Sequence, residues 1–170
     1  MPLSSSFTLQ VVADLTKQFD LSLGRVPLSK VYSSVMVSGT AAGQADIVFQ
    51  DTRTLAPSAT EDLDLNGTTL QDPFGTNLAL LRVKGIFVSA AVANVNNVVV
   101  GAAAATQWAT LLNATGTVTL RPGASFSAWA GVADATGYAV VGGASDFLRV
   151  ANSAAGTSVT YDIIIVGCSA

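Results

Sequence analysis

Apolar residues recur at every second position along most of this chain, and that spacing fits β-strands with one buried face rather than helices. Ile47 and Phe49 alternate with Asp46, Val48 and Gln50, and Leu63 and Leu65 alternate with Asp62 and Asp64. The pattern puts Leu81, Val83 and Phe87 on one face of a long strand, with Arg82 and Lys84 pointing the other way. Val118 with Leu120, Phe126 with Ala128, and Leu148 with Val150 around Arg149 repeat the motif.

The breaks between these runs have turn chemistry. Asn113 to Gly116 precedes TVTL, Asp134 to Gly137 precedes YAVV, and Ser153 to Gly156 precedes TSVT. Each begins with a side chain able to bond nearby backbone and ends in glycine, which accepts the left-handed conformation of tight loops. The even spacing reads as a meander of hairpins.

Two segments depart from simple alternation. Ile163 to Val166 is apolar at every position. One face of that strand serves the core, and the other must meet a second layer or a neighbouring subunit. Near the N-terminus, Phe19, Leu21 and Leu23 alternate like a strand, while Val12, Leu15 and Phe19 could form one short helix face. Pro2, the serines at 4–6 and Pro27 suggest an extended arm, and Ser4 to Val12 could reach a partner by strand addition. The expectation is an all-β fold, a jelly-roll-like β-sandwich of about nine or ten strands. The arm is set at residues 1–25 and a single sandwich domain at 26–170.

The 170 residues suffice for one sizeable core. Only 11% of them are charged, against about 25% in an average soluble domain. So few charges cannot coat a monomer densely, and the shortage fits a surface covered by other subunits. The eight Lys and Arg residues are scattered singly and the net charge is −3, so no nucleic-acid footprint is present. The opening residues have no signal-peptide pattern. Ile86 to Ala105 is uncharged, but Asn94, Asn96 and Asn97 interrupt it. That stretch reads as two buried strands joined by a polar turn rather than a membrane span.

Catalytic and cofactor chemistry finds little footing. The chain has no histidine and one cysteine, Cys168, which removes histidine-based nucleophilic triads and the usual zinc and iron–sulfur sets. No phosphate loop, dinucleotide fingerprint or nucleophile elbow is present. Asp62 to Gly67 matches the first half of a calcium loop, yet Pro73 stands where a bidentate Glu is needed. A weaker calcium site built from Glu61, Asp62, Asp64 and Asp72 is the remaining metal option. Asn66 and Asn113 begin glycosylation sequons that read as incidental without a signal peptide. Trp108, Trp129, Tyr32, Tyr138 and Tyr161 read as core or interface residues before sugar-stacking platforms. The expectation is no enzyme, no catalytic residue, no cofactor and no metal.

In its second half the chain is similar to a known type. The series runs from Arg121-Pro122-Gly123 through Asp134 to Tyr138 and Asp146 to Ser153, and ends at Thr160 to Gly167. With Thr60 to Leu65, Asp72 to Gly75 and Arg82 to Lys84, it resembles small virion structural proteins of tailed bacteriophages, of the capsid decoration or cement type. The resemblance implies a jelly-roll or related sandwich on the capsid exterior, made in the host cytoplasm. It implies a homo-oligomer, commonly a trimer, bound to the major capsid protein, with no nucleic-acid or membrane partner. A tail or head fibre module that binds a receptor or glycan is the alternative. Ile163 to Val166 is the expected subunit contact.

Overall fold

A computed structural model of the chain describes residues 2–170. It is built almost wholly of strands, in chain order β1 (Ser5–Gln18), β2 (Leu23–Ser38), β3 (Gln44–Ala45), β4 (Ile47–Leu55), β5 (Thr60–Asp64), β6 (Asn66–Gln71) and β7 (Asn77–Ala79). There follow β8 (Arg82–Ala90), β9 (Val98–Gly101), a single-turn helix α1 (Ala109–Leu112), β10 (Thr117–Leu120), β11 (Ser125–Trp129), β12 (Tyr138–Ala139), β13 (Phe147–Asn152) and β14 (Val159–Cys168). No helix among the described residues is long and apolar enough to cross a membrane.

Two antiparallel sheets form the body. One has the order β10-β9-β13-β5, and the other β11-β8-β14-β4 with β12 also on β8. Their inner faces share one core: Phe49, Ile86, Val88, Ile163 and Ile165 from one sheet meet Leu63, Val98, Val100, Leu120, Leu148 and Val150 from the other. The fold is therefore all-β, as the alternation requires, with sheets packed face to face.

The chain does not meander. β9 pairs with β10, but β8 to β9, β10 to β11 and β13 to β14 all pass from one sheet to the other. The turn residues mark where strands end without saying which neighbour comes next. The polar stretch Asn94 to Asn97 is one such crossing between β8 and β9. There Asn94 exchanges hydrogen bonds with Thr160 in both directions at 2.8 Å, and Asn96 donates to Asn152 and to the carbonyls of Ala154 and Thr157.

One face assignment is reversed by a bulge. The β14–β8 register jumps between Val166↔Gly85 and Gly167↔Val83, so Lys84 is an extra residue on β8. A bulge flips the parity of everything beyond it. Val83, Ile86 and Val88 face inward, Phe87 faces outward and Leu81 is exposed. Lys84, expected outside, is 1% exposed, and its ammonium donates to the Asp134 carbonyl at 2.7 Å.

The N-terminal segment is neither a helix nor a lone arm. β1 and β2 pair antiparallel over their whole length, from Ser5↔Met36 to Gln18↔Leu23. Phe7, Leu9, Val11, Ala13 and Leu15 supply an unbroken period of two that outweighs the helical spacing of Val12, Leu15 and Phe19. Position 25, the expected end of the arm, lies inside β2, which runs on to Ser38 at the body.

Candidate functional site

The β1–β2 hairpin holds most of the protein's uncovered apolar surface. Thirteen of the twenty exposed large hydrophobic residues among those described lie between Leu9 and Val37. At about 3.4 Å per residue, the fourteen-residue β1 extends about 48 Å. Only its foot rests on the body, and an isolated two-stranded ribbon is marginal in water.

The foot is anchored by specific packing. The Phe7 ring stacks on Trp129, with centroids 5.9 Å apart and planes 17° apart. Met36, Ala45 and Val166 are buried beneath it, with Leu3, Phe7 and Val48 packed around them. This layer covers one end of the outer face of the β11-β8-β14-β4 sheet. Val166 is thus shielded by the chain's own foot, while Ile164 stays open at 37% exposure. The expected contact at Ile163 to Val166 narrows accordingly, because Ile163 and Ile165 belong to the inner core.

Beyond the foot both faces of the hairpin carry exposed apolar residues, and one is the more apolar. Directly paired residues share a face. Leu9 with Tyr32, Val11 with Lys30, Ala13 with Leu28 and Leu15 with Val26 make one apolar face, whose only charges are Lys30 and Lys17. The opposite face is mixed: Thr8 with Ser33 and the Asp14–Arg25 ion pair share it with exposed Val12, Leu23, Val31 and Val35. The end is closed by Phe19 donating to Ser22 at 2.8 Å, and Leu21 there is wholly exposed.

Between the hairpin and the sheet runs an open groove of about 510 Å³ with no charged residue on its walls. Leu9 and Phe7 form one side, and Phe87, Ile164 and Trp129 the other. The outer sheet face becomes polar away from the foot, through Gln50 and Ser127 to Asp162, which accepts from Thr52 at 2.6 Å.

The four carboxylates considered for calcium are each engaged separately. Asp62 takes a two-pronged ion pair from Arg149 at 2.8 Å. Asp64 accepts from the Asn66 amide, and Asp72 from the amides of Phe74 and Thr76. Glu61 accepts from the Tyr161 hydroxyl at 2.6 Å and pairs with Arg53, which also bridges to Asp51. Burial, with the Glu61 carboxylate beside it, holds the Tyr161 phenol well above its ordinary range. The hydrogen bond and charge of Glu61 raise Arg53 as well. Among the described residues, no three acidic, histidine or cysteine side chains gather as a metal would require.

The large aromatics do not line a common groove. Trp108 is buried, donates to the Ala139 carbonyl at 2.9 Å and meets Tyr138 edge to face. Tyr161 is in the core, Trp129 lies under Phe7, and Tyr32 stands alone on the hairpin. Cys168 is buried, and burial raises its thiol, which donates toward the Gln44 carbonyl at 3.4 Å. The surface that sequence reasoning missed is the hairpin's second strand: Val26, Leu28 and Tyr32 carry a period of two that Pro27 and Lys30 obscure.

No known protein family, curated protein or solved structure matches this chain.

Proposed function

We propose that this chain is a non-catalytic building block of a virus particle, decorating and stabilising a phage capsid by subunit packing. The observation that supports this reading is the long hairpin, which holds a continuous apolar face away from its own core. Exposed patches beyond a few hundred Å² mark surfaces that other proteins cover. Each 100 Å² of apolar surface withdrawn from water contributes about 2.5 kcal/mol before the costs of association. A projecting arm that binds in this way bridges neighbours, as a protein that strengthens a shell must do. The low charge agrees with it.

The test is the copy number of this chain on purified particles, with and without the arm. Joining Gln10 to Val31 through Asn-Gly closes the ladder at a natural pair and removes the projecting part. The expected result is hundreds of copies of the full chain per particle and loss of the shortened one. A few copies would support a fibre module. Retention of the shortened chain at full copy number would contradict the reading.

A further inference from the structure

We propose that β4 pairs through its free edge with β4 of a second copy of this chain, antiparallel and with Thr52 opposite Thr52. The hairpin takes no part in this interface.

Three observations carry the inference. The first is an unpaired edge. β4 ends the β11-β8-β14-β4 sheet and pairs only with β14. It has nine residues and no proline, against four residues in β10 and five each in β5 and β11, the other edge strands of the sandwich. The Thr160 carbonyl accepts from Ala91 at 3.0 Å and the Thr160 amide donates to Asn94 at 2.8 Å, both on the β8 side. Bonding sides alternate along a strand, so Tyr161, Ile163 and Ile165 bond to Arg53, Asp51 and Phe49. The amides and carbonyls of Gln50, Thr52 and Thr54 therefore point out from the sheet edge. No backbone group among the described residues meets them there. Edges of this length are ordinarily blunted or covered.

The second is room. An open groove of about 450 Å³ runs beside the edge, with Gln50, Asp51 and Arg53 on one wall and Thr69 to Gln71 of β6 on the other. β6 thus stands across a gap from β4 rather than against it.

The third is self-complementarity. With Thr52 opposite its twin, Asp51 lies opposite Arg53, Gln50 opposite Thr54 and Phe49 opposite Leu55. Directly opposed residues share a face. On the inner face the Asp51–Arg53 ion pair of each copy then sets its acid beside the other copy's arginine, so the four charges alternate in sign. On the outer face Gln50, Thr52 and Thr54 meet polar partners, and each of these pairs exchanges two backbone hydrogen bonds. Sliding one strand by two residues keeps the faces but sets Asp51 against Asp51, or in the other direction Arg53 against Arg53, and like charges directly opposed are destabilising. Charges pointing inward from an edge deter chance partners. Here they leave one register open, and the strand that fits it is this one. The contact uses the same patch on both copies, so it closes at a dimer and joins two sheets into one.

The test uses the full chain at about 100 µM, where weak specific interfaces are populated. In the proposed register the two Cα atoms of Thr52→Cys lie about 5.5 Å apart, within disulfide reach. Those of Gln50→Cys are four residues apart along the strands, about 14 Å, and out of reach. The native Cys168 is buried and stays apart. Mild oxidation is expected to give covalent dimers of Thr52→Cys at least about ten times faster than of Gln50→Cys, read on a denaturing gel. In sedimentation velocity the unmodified chain forms a concentration-dependent dimer, and Asp51→Arg and Thr52→Pro each weaken it at least about tenfold. The Thr52 amide faces outward, so proline there spares the β14 ladder, and circular dichroism and melting check that each variant keeps its fold. A chain that stays single overturns the inference. So does an oligomer that Asp51→Arg or a folded Thr52→Pro leaves unchanged, or equal crosslinking of the two cysteine variants. If Thr52→Pro fails to fold, Asp51→Arg and the cysteine pair decide. None of these outcomes touches the copy number on particles, which judges the proposed function separately.

Discussion

The ring of Phe7 fills the space that a side chain at position 85 would occupy: a Cβ on Gly85 would lie 2.2 Å from Phe7 Cζ. Glycine at this point of β8 lets the hairpin foot lie flat against the sheet, and Trp129, opposite Gly85 on β11, supplies the stacking partner. The direction in which the hairpin leaves the body depends on this fit.

Gly85→Val is therefore expected to push Phe7 off Trp129. The cost is about 1–3 kcal/mol, as for overpacking elsewhere. The near-ultraviolet signal of Trp129 should change with it, while far-ultraviolet circular dichroism keeps its strand signature. An unchanged tryptophan signal would mean the foot is not held by this stack.

Two neighbouring isoleucines on β14 should behave oppositely. Ile163 is fully buried between the sheets, and Ile163→Ala should cost about 2–5 kcal/mol in denaturant unfolding. Ile164 faces outward, and Ile164→Ala should change the stability of the separate chain by about 0.5 kcal/mol or less. Equal effects would contradict the assigned faces of the strand.

The Tyr161–Glu61 hydrogen bond makes a prediction at high pH. Its phenol is raised above the ordinary 10.0 by burial and by Glu61, so the folded state prefers the neutral form. A group raised on folding gives its full stability below its unfolded value and loses it as pH climbs past that value. Alkaline unfolding should thus begin above pH 10, with the last phenolate absorbance appearing together with loss of structure. Tyr161→Phe should cost about 1–2 kcal/mol at neutral pH through the unpartnered Glu61 oxygen. Full ionisation of all three tyrosines in folded protein would refute this.

At low pH the loop before β12 is the sensor. Asp134 accepts from the Thr136 hydroxyl and from the amides of Thr136 and Gly137, and these bonds hold its carboxyl below the ordinary 3.8. A depressed carboxyl stabilises the fold above its unfolded value and gives that up as pH falls through the folded one. The amide shifts of Thr136 and Gly137 should move together with a midpoint below 3.8. Asp134→Asn should flatten that titration.

Most of the sandwich could be read from alternation alone. Phe49, Leu63, Leu120, Leu148 and Val150 are buried where a period of two puts them, and the Gly137 and Gly156 loops use positive φ before their strands. Parity fails at Lys84 because a bulge adds a residue without leaving a mark in the local pattern. Sheet order was hidden because turns end strands in the same way whether the next strand pairs nearby or crosses the core. The hairpin was obscured by its own chemistry. Pro27 and Lys30 break the apolar rhythm of β2, and no core burial reports on a ribbon that stands clear of the body. The acids of the Asp62 to Gly67 motif, which Pro73 already spoke against as a calcium loop, are engaged by Arg149 and by the turn into β6.

Amide hydrogen exchange across β1 and β2 most directly tests whether companions cover the hairpin. A bare two-stranded ribbon opens easily, and its amides exchange far faster than those of a covered one. Between dilute and concentrated protein, or between free and particle-bound protein, the amides from Val11 to Ala13 and those of Val26 and Leu28 should slow at least about a hundredfold, while those of β14 hold steady. Equal exchange in both conditions would mean that nothing docks on the hairpin.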